Sequence, residues 1–254
     1  MLITALLVSI LTSCIPTVDV GEYLGGMLNT DGETNAETLI NTVARDAVLS
    51  GVVIRSTHYS GFTKNESQGS GVIYREHGRH FFVLTNYHVV FNESNANSES
   101  LYSVVDAYET AHNATLVAYD KGLDLAVLSF VATTEAKERL KVSALAASNP
   151  RLTSQILSVG NPSGLHNAIS MGKISAIKDV DLDELSIAVI YHTAPLDHGS
   201  SGGGLYNTKG ELVGINYAIG QDEDGEIKLS FAIPIESVIG FLRTNNILPA
   251  DTQQ

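Results

Sequence analysis

The chain has 254 residues, enough for one large domain or two small ones with a full hydrophobic core. Its 15 Lys and Arg against 28 Asp and Glu leave a formal net charge of −13, which repels a phosphate backbone and argues against nucleic-acid binding. With 44% hydrophobic and 17% charged residues the balance is globular, and the single cysteine, Cys14, excludes internal disulfides, Cys-based zinc sites and a thiol nucleophile beyond the extreme N-terminus.

Residues Leu2 to Leu11 form an apolar run matching the core of a secretory signal and falling short of the ~20 residues that span a bilayer. The run ends in Leu11-Thr12-Ser13-Cys14, which resembles a bacterial lipobox. That resemblance implies a signal peptide over 1–13, lipidation of Cys14 and a membrane anchor. No Lys or Arg precedes the run, and an ordinary secretory signal or a buried N-terminal segment are the alternatives. Residues 14–33, rich in Gly, Asn, Asp and Thr, read as a flexible tether. Thr34-Asn35-Ala36-Glu37 has the spacing of a capping box, in which hydroxyl and carboxylate satisfy each other's backbone donors. Leu39, Ile40, Val43 and Ala47 then supply one apolar helical face up to about Leu49.

From Gly51 the pattern changes to short β-rich runs punctuated by Gly, Asn, Asp and Ser. One set comprises Val52–Ser56, Gly71–Tyr74, His80–Thr85, Tyr102–Tyr108, Thr115–Tyr119 and Leu125–Phe130. A second comprises Gln155–Val159, Ile169–Ala176, Ile187–Thr193, Gly203–Tyr206, Glu211–Asn216 and Lys228–Ile233. A helix-prone Ala132–Leu140 and a Ser/Asn/Pro stretch to Pro150 separate them, so two all-β units are expected, about 51–130 and about 151–233. Pro234 followed by Ile235, Val238, Ile239 and Leu242 predicts a C-terminal helix over about 234–246. Only Ala250 to Gln254 follow the Leu248-Pro249 stop, so no appended peptide-binding domain is expected. Asn92–Ser100 reads as a polar loop and Asp222–Glu226 as a solvated hairpin tip rather than a calcium loop, since it lacks full ligand spacing. Sequons begin at Asn65, Asn92 and Asn113, and are expected to be unglycosylated in a lipoprotein of the kind the lipobox implies.

Three segments carry candidate chemistry. Phe82-Val83-Leu84-Thr85-Asn86-Tyr87-His88 ends an apolar strand in a histidine, just after Gly69-Ser70-Gly71. Leu123-Asp124-Leu125-Ala126-Val127-Leu128 sets an aspartate at the head of a strongly apolar strand, where a buried carboxylate is costly without a donor such as an imidazole N–H. Asp197-His198-Gly199-Ser200-Ser201-Gly202-Gly203-Gly204 embeds a serine in glycines, whose positive-φ freedom can aim successive N–H groups at an oxyanion. Taken singly, each is more often a structural residue, a turn or a flexible tip. Together, in the order His88, Asp124, Ser201 at intervals of 36 and 77 residues, they follow the chain order of one convergent Ser-His-Asp triad.

With these segments the chain, from about Gly51 to Leu242, resembles the trypsin-fold serine proteases and most closely their HtrA/Deg-like branch. Val159-Gly160-Asn161-Pro162-Ser163-Gly164-Leu165, Gly210-Glu211-Leu212-Val213-Gly214-Ile215-Asn216 and Ser230-Phe231-Ala232-Ile233-Pro234 add to the match. The resemblance implies an all-β fold of two six-stranded antiparallel barrels with a short N-terminal and a C-terminal helix, making 34–254 one protease domain. It implies Ser201 as nucleophile, His88 as base, Asp124 as its orienting carboxylate and the N–H groups of Gly199 and Ser201 as oxyanion hole, with no metal or organic cofactor. Ser200 stands where digestive relatives have an aspartate that pairs with a freed N-terminus, so activation of that kind is not expected. His198, Ser200 and Gly204 also depart from the branch's usual Pro, Asn and Pro, which implies a more flexible oxyanion loop. Pro195 at the trypsin-type position and Leu196 nearby remove an acidic or glutamate-type primary pocket; with His198, Ile215 and Phe231 they imply one for small or medium apolar side chains. The expected function is an exported, envelope-anchored serine endopeptidase acting on proteins or peptides. A non-catalytic binding or adhesin lipoprotein on the same fold is the alternative, and an oligomeric chaperone-protease a third.

Overall fold

The computed structural model describes residues 35–60, 63–91, 99–161, 167–182, 185–221 and 227–249. The expected signal segment, the tether with Cys14, the Thr34 cap, the Asn92 sequon with most of its polar loop, the Pro162–Leu165 part of the glycine-rich segment and the acidic tip at 222–226 lie outside the described residues.

Helix α1 (Asn35–Ser50) leads directly into β1 (Gly51–Ser60). The first barrel continues with β2 (Thr63–His77), β3 (His80–Thr85), β4 (Glu99–Val105), β5 (Ala111–Asp120) and β6 (Leu125–Val131), closed in the order β1-β2-β3-β6-β5-β4. The second contains β7 (Gln155–Gly160), β8 (Ala168–Leu182), β9 (Leu185–His192), β10 (Gly204–Asn207), β11 (Leu212–Gln221) and β12 (Ile227–Pro234), closed as β10-β11-β12-β9-β8-β7. All named pairings are antiparallel, as expected for the trypsin-like fold. Short helices α2 (Tyr87–Val90) and α3 (Thr134–Arg139) follow β3 and β6, and α4 (Ile235–Thr244) ends the fold.

Side-chain alternation in the β2–β3–β6 sheet explains the two-body layout. Ile73, Phe81, Val83, Ala126, Leu128 and Phe130 fill the interior of the first barrel. Their neighbours Val72, Tyr74, Leu84, Leu125 and Val127 point the other way, into the core shared with the second barrel. A sheet buried on both faces reads as a continuous apolar run, which is why β6 is Leu-Ala-Val-Leu-Ser-Phe-Val. By contrast β5, with one face in solvent, alternates between exposed and covered residues. The strip joining the barrels is stitched to both: Ser143 N donates to Ile73 O and Ala146 N to Leu212 O.

α4 buries the expected stripe of Ile235, Val238, Ile239 and Leu242 against the second barrel. Thr133 caps α3 by accepting from Ala136 N at 3.1 Å. The expected strand at Ile169–Ala176 extends six residues further, to Leu182, as half of a hairpin with β9 whose exposed Lys178 and Asp179 mask the apolar signal. Because of this architecture the ends of β3 and β5 and the loop before β10 meet at the seam between the barrels.

Candidate active site

The first barrel supplies an imidazole and a carboxylate. β3 stops at Thr85, Asn86 is buried at the start of α2, and His88 lies in that single turn of helix. The turn between β5 and β6 ends at Asp124 with φ of +50°, a left-handed conformation that aspartate tolerates better than most residues. Its carbonyl accepts from Tyr87 N at 3.1 Å and from Asn86 Nδ2 at 3.0 Å. Its carboxylate accepts from His88 N through Oδ1 at 2.8 Å and pairs with His88 Nδ1 through Oδ2 at 2.7 Å. The His88 side chain is 47% exposed and that of Asp124 14%, so the imidazole opens on solvent while the carboxylate is sheltered behind it. A ring held at Nδ1 by a carboxylate carries its proton there and leaves Nε2 as the acceptor.

The second barrel supplies a hydroxyl on a loop whose conformation requires glycine. Gly199 has φ of +96° and Gly202 +85°. A Cβ on Gly202 would lie 2.2 Å from Ser70 O and 2.4 Å from Thr85 Oγ1, so no larger residue fits. The loop is fixed from the first barrel by Ser70, which is fully buried. Ser70 N donates to Ser201 O at 2.8 Å and Ser70 Oγ to Gly199 O at 2.6 Å. Asn161 N and Nδ2 both donate to Ser70 Oγ, at 2.8 and 3.2 Å. With its lone pairs so engaged, the hydroxyl has its one proton for Gly199.

The loop's backbone donors alternate. His198 N donates to Asp197 Oδ1, Ser200 N to Asp197 O, Gly202 N to Asn216 O and Gly203 N to Ser200 O. The N–H groups of Gly199 and Ser201 make no such bond among the described residues. Ser201 Oγ donates to Tyr217 O at 3.2 Å, and the Tyr217 ring meets His88 edge-on with centroids 6.3 Å apart. Burial, and next the Asp124 charge, raise the Tyr217 phenol above its ordinary pKa, so it stays protonated.

His88, Asp124 and Ser201 line one cleft of about 600 Å³, with Tyr87 and Phe91 on the first-barrel side and Leu196, His198 and Tyr217 on the second. Of the expected pocket residues, Leu196 and His198 therefore reach the cleft. Pro195 is exposed, with its carbonyl accepting from Ser170 Oγ; Ile215 is fully buried in the core; Phe231 packs edge-to-face on Tyr191, 4.9 Å between centroids. None of these three is among the described residues lining the cleft. Sequence reasoning assigned no role to Tyr217, Phe91 or Ser70. The spacing of Tyr87 and Phe91, four apart and bracketing His88, was the available signal for an aromatic wall. The arrangement unites an acceptor imidazole, an orienting carboxylate, a hydroxyl and two unengaged N–H groups, a set able to carry acyl transfer.

Comparison with known proteins points the same way. The trypsin-like peptidase domain matches residues 69–215, more than half of the chain. "Serine protease Do-like HtrA" of Lactococcus lactis subsp. cremoris is 34% identical over 190 residues, covering 69% of this chain and 44% of that protein. "Protease Do-like 1, chloroplastic" of Arabidopsis thaliana is 31% identical over 186 residues, covering 70% and 39%. "Probable periplasmic serine endoprotease DegP-like" of Halomonas elongata is 34% identical over 174 residues, covering 68% and 34%. The chain thus spans less than half the length of these relatives. On fold, domain match and relatives together, the chain belongs to the trypsin-like serine peptidases, in their HtrA/Deg branch.

Proposed function

We propose that this protein is a serine endopeptidase that cleaves protein or peptide substrates by a triad of Ser201, His88 and Asp124. The observation that carries the reading is the double tie of His88 to Asp124, through backbone N–H and Nδ1, in the same cleft as the Ser201 hydroxyl. The Ser201 hydroxyl turns from Tyr217 O to His88 Nε2, which takes its proton as Oγ bonds to the scissile carbonyl carbon. Asp124 stabilises the imidazolium that forms. The carbonyl oxygen, now negative, is received by the N–H groups of Gly199 and Ser201, each such donor contributing on the order of 3 kcal/mol to lowering the barrier. His88 then protonates the leaving amine, and water admitted to the cleft reverses the sequence on the acyl-enzyme. None of these steps requires a metal or organic cofactor.

The protein acts outside the cytoplasm, tethered through a lipid on Cys14. Support comes from the apolar run ending in Leu11-Thr12-Ser13-Cys14 and from relatives described as periplasmic. Casein or peptide hydrolysis by the wild type, abolished in Ser201→Ala, tests the activity; hydrolysis unchanged in that variant overturns it. Incorporation of labelled palmitate into the wild type and not into Cys14→Ser tests the anchor, and equal labelling of both refutes it.

A further inference from the structure

The cleft walls are unequal. On the second-barrel side Leu196 is nearly buried, His198 is polar, and the Tyr217 ring is turned edge-on to His88. On the first-barrel side three rings form a ladder: Phe91 stacks on Tyr87 with centroids 4.9 Å apart and planes 19° apart, and Tyr87 on Tyr119 at 5.2 Å and 27°. Tyr119, on β5, remains 57% exposed.

The ladder is built on the element that carries the imidazole. Tyr87 and Phe91 are four residues apart, so the α2 turn brings them onto one face beside His88, closed by Phe91 N donating to Tyr87 O at 2.9 Å. Tyr87 N is bonded in turn to Asp124 O. An aromatic surface fixed in this way holds whatever stacks on it at a set distance from Nε2. Tyr87 and Phe91 line the cleft, while Tyr119 braces Tyr87 from the rim.

We infer that this wall is a recognition subsite for an aromatic or large apolar side chain of the peptide substrate, on the first-barrel side of the scissile bond. The inference rests on the peptidase reading above. It transfers much of the substrate selectivity from the primary pocket to the ladder, since stacked rings offer a large, rigid apolar face.

The test is a peptide library scanned at three positions on either side of the cleaved bond, with each position Phe, Leu or Ala in otherwise identical sequences. At one position other than that immediately before the bond, Phe over Ala should raise kcat/KM about tenfold. Phe91→Ala should reduce that ratio to about one, Tyr119→Ala should reduce it in part, and Phe91→Tyr, which keeps the ring, should preserve it. Cleavage with no aromatic preference at these positions, or Phe91→Ala slowing the Phe and Ala peptides by the same factor, overturns the subsite and leaves the peptidase reading standing. A wild type that cleaves no peptide and takes up no fluorophosphonate overturns the peptidase reading and the subsite with it.

Discussion

Two histidine–aspartate pairs sit in the first barrel, and they differ in everything except chemical identity. His88 and Asp124 meet at 2.7 Å with the imidazole 47% exposed; His112 Nε2 and Asp106 Oδ2 meet at 3.0 Å with side chains 5% and 0% exposed. The buried pair is tied into a turn and a ring stack. Asp106 Oδ1 accepts from Tyr108 N and Thr110 N, closing the β4–β5 turn, and the His112 ring stacks on Phe130 with centroids 4.7 Å apart. The cleft pair leaves one ring nitrogen facing a cavity that also holds a serine hydroxyl. A histidine beside a carboxylate is a staple when the pair is buried and built into a turn, and a candidate catalyst when its ring opens on a cleft that a reactant can enter.

Substitutions should separate the two pairs cleanly. Asp124→Asn, which leaves His88 without its orienting charge, should lower kcat about 10⁴-fold while the unfolding midpoint moves little. Asp106→Ala should do the reverse, costing about 3 kcal/mol in urea unfolding because it opens a buried pair and a turn, with peptide hydrolysis within about twofold wherever the protein remains folded. Equal effects of the two changes on rate, or on stability, would erase the distinction.

Between these extremes lies Ser70, which touches no reactant in the proposed mechanism yet fixes the Gly199 carbonyl. Ser70→Ala should cut kcat by roughly 10- to 100-fold, less than loss of an oxyanion donor itself, with KM nearly unchanged. A rise in KM with kcat preserved would reassign it to substrate binding.

The smallest effect concerns a third environment. His192 is fully buried, and burial lowers its pKa to about 4 from 6.5, the Ala194 backbone opposing only in part. Its folded-state pKa lies below the unfolded one, so between about 6.5 and 4 the unfolded chain binds a proton that the native protein refuses. Stability therefore falls as the pH drops through that window, by up to about 1.4 kcal/mol per pH unit. His58, also lowered by burial, acts in the same direction. Urea unfolding at pH 7 and 5.5 should show a stability loss in the wild type that is smaller in His192→Leu; the same loss in both would remove His192 from the account.

Strand positions were legible because most strands hide at least one face, so apolar residues mark them whichever core they enter. Leu125 and Ala126 go to different cores, yet both are apolar. The His88, Asp124 and Ser201 segments were legible because each joins an apolar strand or a glycine run to one reactive side chain. What the sequence hid was three-dimensional. Ile215 and Tyr217 are two apart and should share a face, but the pairing of β11 with β12 shifts between Asn216 and Ala218, and while Ile215 is buried in the core Tyr217 reaches the cleft. No composition or spacing announces such a bulge. Ser70 was visible only as part of a Gly-Ser-Gly segment, because its partners Asn161 and Gly199 lie 91 and 129 residues away.

The cooperation of imidazole and hydroxyl across the seam is tested most directly by labelling intact protein with a fluorophosphonate and locating the adduct by mass spectrometry, in wild type beside His88→Ala. The expected result is one adduct per wild-type chain, on Ser201, and a rate lowered at least a thousandfold, on the order of the loss of a triad member, in the variant. Labelling of Ser201 at the same rate in both, or an adduct on another residue, would contradict it.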